Sequence, residues 1–227
     1  MANLEQTQSI LEMPASRRAG AADLWPTILR VAWLSIGLGI ALEVILLVLA
    51  AYTDTAGTSP KPFLSDLAQK ISWSFIVCVG LAFGSTAATP ARARGKVMGL
   101  LGLLSAPLGF TVARAAHKAV KDALGVAGGA AAGASPFLIG GLKGVEYAIF
   151  GALLAWIGKR SLSLGAHVGA GLAIGLTFGI AIIAVTVQAA AAPPTAVDLV
   201  AKGVNEVMFP VGCALVLYAS GAMAKRL

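Results

Sequence analysis

The chain has 227 residues, of which 58% are apolar and 12% are charged, and its mean hydropathy is +0.85. Soluble globular domains carry about 25% charged residues, so this composition excludes an ordinary soluble protein and predicts an integral membrane protein. The formal net charge of +7 comes from short cationic clusters beside apolar runs. That pattern is typical of membrane topology signals, so membrane lipid is the expected partner and nucleic acid is not.

Catalytic and metal-binding signatures are missing from the sequence. It has no GxSxG, HExxH, P-loop or Rossmann fingerprint. Cys78 and Cys213 lie in apolar runs, and His117 and His167 have no partner at the spacing of metal ligands. We therefore predict neither enzyme activity, nor a metal site, nor a cofactor.

The first part of the chain, residues 1–27, is polar and has no apolar stretch of the signal-peptide kind. It is predicted to be a cytoplasmic tail, with an interfacial helix as an alternative. Trp25 and Pro26 are typical of a membrane boundary followed by a helix start. Residues 28–227 are predicted to form a single transmembrane domain.

Six apolar runs follow, and a hydrocarbon core is crossed by about 20 residues of helix. They cover approximately 28–52, 70–88, 97–115, 144–157, 164–187 and 204–222. Pro107 predicts a kink in the third run. A basic stretch that begins at Arg114 and an alanine–glycine tract leave 114–143 open as an outer loop, an interfacial helix or a re-entrant segment.

Cations cluster after the second, fourth and sixth runs, and cytoplasmic loops are enriched in Lys and Arg. The clusters are Arg92/Arg94/Lys96, Lys159/Arg160 and Lys225/Arg226. They predict an all-α, polytopic membrane helical bundle of about six transmembrane helices in a bacterial inner membrane, with both termini cytoplasmic. The basic stretch from Arg114 to Lys121 would then lie on the outer side, which conflicts with the same rule.

A recurring motif groups the runs into three pairs. In each pair a proline precedes, by seven or eight residues, a lysine that opens the second helix: Pro62 and Lys70, Pro136 and Lys143, Pro194 and Lys202. Such self-similarity predicts an internal repeat of two-helix units at about 28–90, 96–160 and 164–227.

Polar side chains accompany this motif into the membrane. Asp66 and Lys70, like Asp198 and Lys202, are four residues apart, which favours an ion pair on an exposed first turn. Three and four residues beyond the motif lysines stand Trp73/Ser74, Glu146/Tyr147 and Asn205/Glu206. These side chains would form a polar ring if the units pack around one axis. Alternatively, Glu146 and Glu206 lie near the outer interface and stay hydrated.

Glu43 is the only acidic residue of the first run, about fifteen residues from its start. Intramembrane carboxylates commonly face a cavity, bind a cation or carry a proton. We therefore predict a small transporter or channel with a polar pathway lined by Glu43, Glu146, Asn205 and Glu206, with Trp73, Ser74 and Tyr147 at matching depths. The alternative is a non-transporting scaffold or accessory subunit that packs against partner membrane proteins or a second copy of itself.

Glycines recur at close spacing in the first, third and fifth runs. Gly171 and Gly175 form a GxxxG pattern, which lets helix backbones approach closely in lipid. The pattern predicts close packing between helices of the same chain, with dimerisation as the alternative.

Overall fold

The computed structural model describes residues 15–53, 61–87, 93–126, 134–160 and 163–224, without the side chains of 15–23 and 61. Within these ranges the chain forms six long α-helices and no strand. They are α1 (Ala15–Tyr52), α2 (Lys61–Ala87), α3 (Arg94–Ala123), α4 (Pro136–Lys159), α5 (Leu164–Ala189) and α6 (Ala196–Ala224). All six are long and apolar enough to cross a membrane. The predicted all-α polytopic bundle is therefore confirmed.

The helices form a closed ring. Each packs against the next along the chain, α1 returns to α6, and α2 touches α6 across the centre. Short connections make consecutive helices antiparallel. We call the end of the bundle that holds residues 52, 61, 123, 136, 189 and 196 the cavity end, and the end that holds residues 24, 87, 94, 159, 164 and 224 the opposite end.

Glycine allows α5 to lie directly against α6. A Cβ atom added at Gly171 would lie 2.6 Å from the Cα of Val211, and one added at Gly175 would lie 2.8 Å from the Cα of Val207. Real side chains do not tolerate such distances, so a larger residue would push the helices apart. The GxxxG pattern therefore packs within the chain, as predicted, and the dimer alternative is not needed to explain it.

Replacing Gly171 by leucine is expected to destabilise the bundle by about 1–3 kcal/mol, because the new side chain has no space between α5 and α6. Gly169 provides a matched control on the same helix, since a Cβ atom there meets nothing within 4 Å. Thermal unfolding in detergent should show a lower midpoint for Gly171→Leu and little change for Gly169→Leu. Equal midpoints for the two variants would contradict this packing.

Two predictions of local structure are corrected. Helix α1 begins at Ala15, so Pro26 lies inside the helix instead of starting it. The residues before Pro26 are rich in alanine and arginine, which are strong helix formers, and this outweighs the proline signal. The backbone of the predicted tail is thus helical from residue 15, and residues 1–14 lie outside the described part.

The segment 114–143 is also corrected. Helix α3 continues to Ala123 and α4 begins at Pro136, so the basic stretch is the last part of a membrane-length helix. It contains no glycine or proline, and the chain leaves the helical conformation at Gly125, where φ is +65°. The 30 residues of α3 extend about 45 Å, so part of the helix projects beyond a hydrocarbon core of about 30 Å. Residues 127–133 are not described.

Candidate functional site

A cavity of about 1200 Å³ lies inside the ring at the cavity end. All six helices contribute to its lining. The volume exceeds the range of about 300–1,000 Å³ that is usual for small-molecule pockets. Its polar lining consists of Asp66, Gln69, Lys70, Arg114, His117, Lys118, Lys121, Asp122, Lys143, Thr186, Lys202, Asn205 and Glu206.

Three of the predicted residues form a buried ion cluster at the inner part of this cavity. The Nζ atom of Lys143 lies 2.8 Å from Oε2 of Glu146 on the same helix, and it also donates to Oε2 of Glu206 on α6. Glu146 is fully buried, and Lys143 and Glu206 are 6% and 7% exposed. Glu146 therefore does not fit the hypothesis of a hydrated carboxylate near the interface, whereas Glu206 lines the cavity. One lysine serves two carboxylates, so the triad carries a formal charge of −1 when all three groups are ionised.

A second ion pair joins α1 to α2. Nζ of Lys70 lies 2.5 Å from Oε2 of Glu43, and both side chains are buried. Lys70 lines the cavity, while Glu43 lies behind it. Both Glu43 and Glu206, which were predicted to line the pathway, thus contact a motif lysine.

The i,i+4 pairs predicted on exposed turns do not form among the described residues. Lys70 is buried and pairs with Glu43, whereas Asp66 lies 3.2 Å from Nδ1 of His117 on α3. Asp198 instead accepts hydrogen bonds from the hydroxyl and backbone N–H of Thr195, at 2.7 and 3.2 Å, and caps the start of α6. Lys70 pairs with Glu43 because both groups are buried and each would otherwise lack a partner. Asp198 accepts from Thr195 because the backbone N–H groups at the start of a helix have no partner within the helix.

Aromatic side chains close the inner end of the cavity. The Trp73 ring makes edge contacts with Tyr147 and Phe209, at centroid distances of 5.7 and 6.1 Å. Nζ of Lys143 lies 5.7 Å from the Trp73 ring centroid. Further toward the opposite end, the sulfurs of Cys78 and Cys213 lie 2.9 Å apart between α2 and α6. These groups separate the cavity from a smaller one of about 260 Å³, which is lined partly by Arg94 and His167.

The remaining predicted site residues divide into two groups. Lys202 and Asn205 line the cavity, and Tyr147 is buried beneath it. Ser74 does not face the cavity: its hydroxyl donates to the backbone oxygens of Ser35 and Lys70 and so fastens α2 to α1.

All three motif lysines, Lys70, Lys143 and Lys202, line one cavity. A shared repeat would place them in this way, although the three-unit repeat stays a prediction.

Sequence reasoning missed the basic wall of the cavity. Arg114, His117, Lys118 and Lys121 line it from α3. Their spacing of three and four residues places them on one helix face, and this signal was present in the sequence. These cations line the cavity from a helix and do not belong to a loop, and the orientation of the chain stays a prediction. Within the described part of the chain, no group of three or more His, Cys, Asp or Glu side chains could hold a metal ion.

The fold and the site together define a multi-pass membrane protein with a polar cavity enclosed by six helices. Comparisons with protein families, curated proteins and solved structures find no match for the chain. Its function is therefore inferred from the cavity, the buried charges and the side chains of Trp73, Tyr147 and Phe209 at the inner end, which we call the aromatic floor.

Proposed function

We propose that this chain is a small membrane transport protein and that the cavity is its solute-binding site. The observation that carries the proposal is a polar cavity that descends to a buried ion cluster inside a membrane-length bundle. A scaffold needs only apolar packing between its helices. Buried ion pairs add little stability compared with well-packed apolar residues, so their presence beside a cavity favours a role in binding.

The depth of the ion cluster supports this proposal. Lys143 lies seven residues after the start of α4 and Glu206 ten residues after the start of α6. At 1.5 Å per residue these positions are about 10 and 15 Å along their helices, in a hydrocarbon core of about 30 Å. Many transporters bind their solutes near the bilayer midplane. The two helices are about 36 and 44 Å long, so the cluster lies about 7 Å from their midpoints, on the side of the cavity end.

The aromatic floor favours a transporter with alternating access and argues against a permanently open channel. Trp73, Tyr147 and Phe209 and the cysteine pair fill the space between the two cavities. A solute that enters from the cavity end would stop at this floor. Passage would require α2 and α6, which carry Trp73 and Phe209, to move apart and the cavity end to close.

The scaffold alternative is favoured by a different observation. A Cβ atom added at Gly37, Gly158, Gly169 or Gly221 would meet nothing within 4 Å, so these small residues leave space on the bundle for a partner helix. A partner membrane protein or a second copy of the chain would fill that space. This alternative gives no role to the buried ion cluster.

Uptake into proteoliposomes would test the proposal directly. The purified protein would be offered a defined mixture of small anions, cations and neutral solutes, with the internal content quantified by mass spectrometry. We expect selective uptake, reduced strongly by Glu206→Gln, which lines the cavity, and less by Glu43→Gln, which lies behind Lys70. Asp198→Asn is the matched control, because this exposed side chain does not line the cavity and its amide oxygen can still accept from Thr195. Liposomes that accumulate none of these solutes would favour the scaffold.

We also propose an inner-membrane orientation with the cavity end outside. Arg94, Lys96, Lys159 and Arg160 lie at the opposite end of the bundle, as the positive-inside rule requires of a cytoplasmic face. Arg92, Lys225 and Arg226, which belong to the same predicted clusters, lie outside the described residues.

Cysteine labelling would test this orientation. In a Cys78→Ala/Cys213→Ala background, Thr195→Cys at the cavity end should react with a membrane-impermeant thiol reagent added to intact cells. Ser163→Cys at the opposite end should react only after the membrane is opened. Both positions are exposed in the fold. The reverse labelling pattern would invert the orientation.

A further inference from the structure

The cavity lining carries an excess of positive charge. Six lysine and arginine side chains but only three carboxylates line it. The two carboxylates behind the lining, Glu43 and Glu146, reduce the formal excess from three charges to one, but they lie deeper than the lysines that face the cavity. Low-dielectric walls strengthen such a potential, so the cavity attracts anions and repels cations.

Several of these cations have no carboxylate partner. Among the described residues, Arg114, Lys121 and Lys202 form no ion pair. The guanidinium of Arg114 lies 5.5 Å from the Phe110 ring centroid, and Lys202 is half-buried one helical turn before Glu206. These three side chains come from α3 and α6 and line the same cavity. No carboxylate contacts these three side chains directly, although Glu206 is close enough to attract Lys202.

The carboxylates, by contrast, are already engaged. Glu206 and Glu146 contact Lys143, Glu43 contacts Lys70, and Asp122 contacts Lys118 at 2.6 Å. Each lysine contacts one oxygen of its carboxylate, so a bound cation would share the carboxylate with a lysine and be repelled by its charge. The geometry is therefore more consistent with an anion site than with a cation site built from free carboxylates.

The inner surface of the cavity adds an apolar feature. Trp73, Phe110 and Phe209 contribute aromatic surface to a lining that also carries the charged side chains. The volume of about 1200 Å³ also exceeds what a hydrated inorganic ion would fill. Charged groups at the wall and aromatic groups at the floor suit a molecule with an acidic group and an apolar body.

We infer that the cavity binds organic anions, with the acidic group held by Arg114, Lys121 and Lys202 and the apolar part against Trp73 and Phe209. This inference rests on the proposed function for its assumption that the cavity is a solute site. It names the class of solute that the site would take.

Trp73 provides a reporter inside the cavity. The other tryptophans, Trp25, Trp33 and Trp156, are exposed on the surface of the bundle, so replacing them by phenylalanine leaves a single fluorophore at the site. Benzoate, benzylammonium and benzyl alcohol would be titrated at constant ionic strength, since they share a ring and differ in charge. We expect saturable fluorescence changes with benzoate and weaker or no response with the other two. Acetate should bind more weakly than benzoate, because it lacks the ring.

Charge variants make the test specific. Lys121→Gln combined with Lys202→Gln should weaken benzoate binding about tenfold or more, through the loss of two charges near the anion. Lys96→Gln removes an exposed charge at the opposite end of α3 and should leave binding unchanged. Preferential binding of benzylammonium, or equal benzoate affinity in all variants, would overturn the inference.

Anionic lipid headgroups offer the same chemistry, and a second comparison separates the two sources. Benzoate affinity would be measured in phosphatidylcholine nanodiscs with and without phosphatidylglycerol. Unchanged affinity supports a soluble anion, whereas strong competition by phosphatidylglycerol assigns the site to lipid and overturns the assignment to a solute. The proposed function is judged separately. Uptake of a cation or neutral solute without benzoate binding would support transport and reject the anion site. Benzoate binding without uptake of any solute would support the anion site and reject transport.

Discussion

Replacing Lys143 by methionine is expected to lower the free energy of unfolding by about 3–5 kcal/mol, because it leaves two buried carboxylates without their cation. Lys143 is the shared partner of Glu146 and Glu206, and all three side chains are buried. Methionine keeps most of the apolar length of the side chain, so lost packing contributes little. Unfolding by SDS in mixed micelles would measure the change.

Two further variants separate charge from packing. The triple variant Lys143→Met/Glu146→Gln/Glu206→Gln removes all three charges and should recover most of the stability, since no uncompensated charge remains buried. Lys96→Met, at an exposed position, should be nearly neutral. A loss below about 1 kcal/mol for Lys143→Met would show that the cluster is hydrated or not formed.

Oxidising the Cys78–Cys213 pair is expected to reduce solute uptake by more than tenfold. The two sulfurs lie 2.9 Å apart on α2 and α6, directly beyond the aromatic floor. A disulfide forms when the two thiols lose two protons and pass two electrons to an added membrane-permeant oxidant. The bond would prevent the separation of α2 and α6 that passage through the floor requires. Cross-linking would be quantified by thiol alkylation after denaturation, and uptake would be measured in proteoliposomes.

The controls use the same residues. Dithiothreitol should restore uptake, and the single variant Cys78→Ser, which cannot cross-link within the chain, should be insensitive to the oxidant. Full cross-linking with unchanged uptake would exclude the proposed movement of α2 against α6 at this level.

Much of the fold could be predicted from the sequence because the hydrophobic effect acts on whole segments. Six apolar runs correspond to six helices, and the cationic clusters at 94–96 and 159–160 lie at one end of the bundle. The boundaries were less predictable. Pro26 and the stretch after Arg114 resembled helix ends, but neighbouring strong helix formers extend α1 and α3 through them.

Part of the site could also be predicted, because an acidic residue in a membrane segment requires a partner or water. Glu43 was identified on that basis, whereas Glu146 and Glu206 were identified from their positions three and four residues beyond the motif lysines Lys143 and Lys202. The contact between Lys143 and Glu206 could not be predicted, since α4 and α6 are not neighbours in the ring and only the closure of the ring brings the two side chains together. The same is true of Glu43 with Lys70, for which local spacing favoured the pair with Asp66.

The basic wall of α3 shows a different limit. Arg114, Lys118 and Lys121 have helical spacing in the sequence, but spacing alone does not say whether a basic face meets water, headgroups or a cavity. Only the ring arrangement of the helices places that face opposite Asp66, Lys202 and Glu206.

Access of water to Asn205 tests the central claim most directly. Asn205 lies on the side of α6 that lines the cavity, whereas Leu215 on the same helix is exposed on the apolar surface. In the Cys78→Ala/Cys213→Ala background, a membrane-impermeant thiol reagent requires water and a thiolate to react. We predict that Asn205→Cys in lipid vesicles reacts from the cavity end, and that benzoate slows the reaction, while Leu215→Cys stays unmodified. No reaction at Asn205→Cys from either side of the membrane, under conditions where Thr195→Cys is fully labelled, would contradict the account and leave a dry bundle that suits a scaffold.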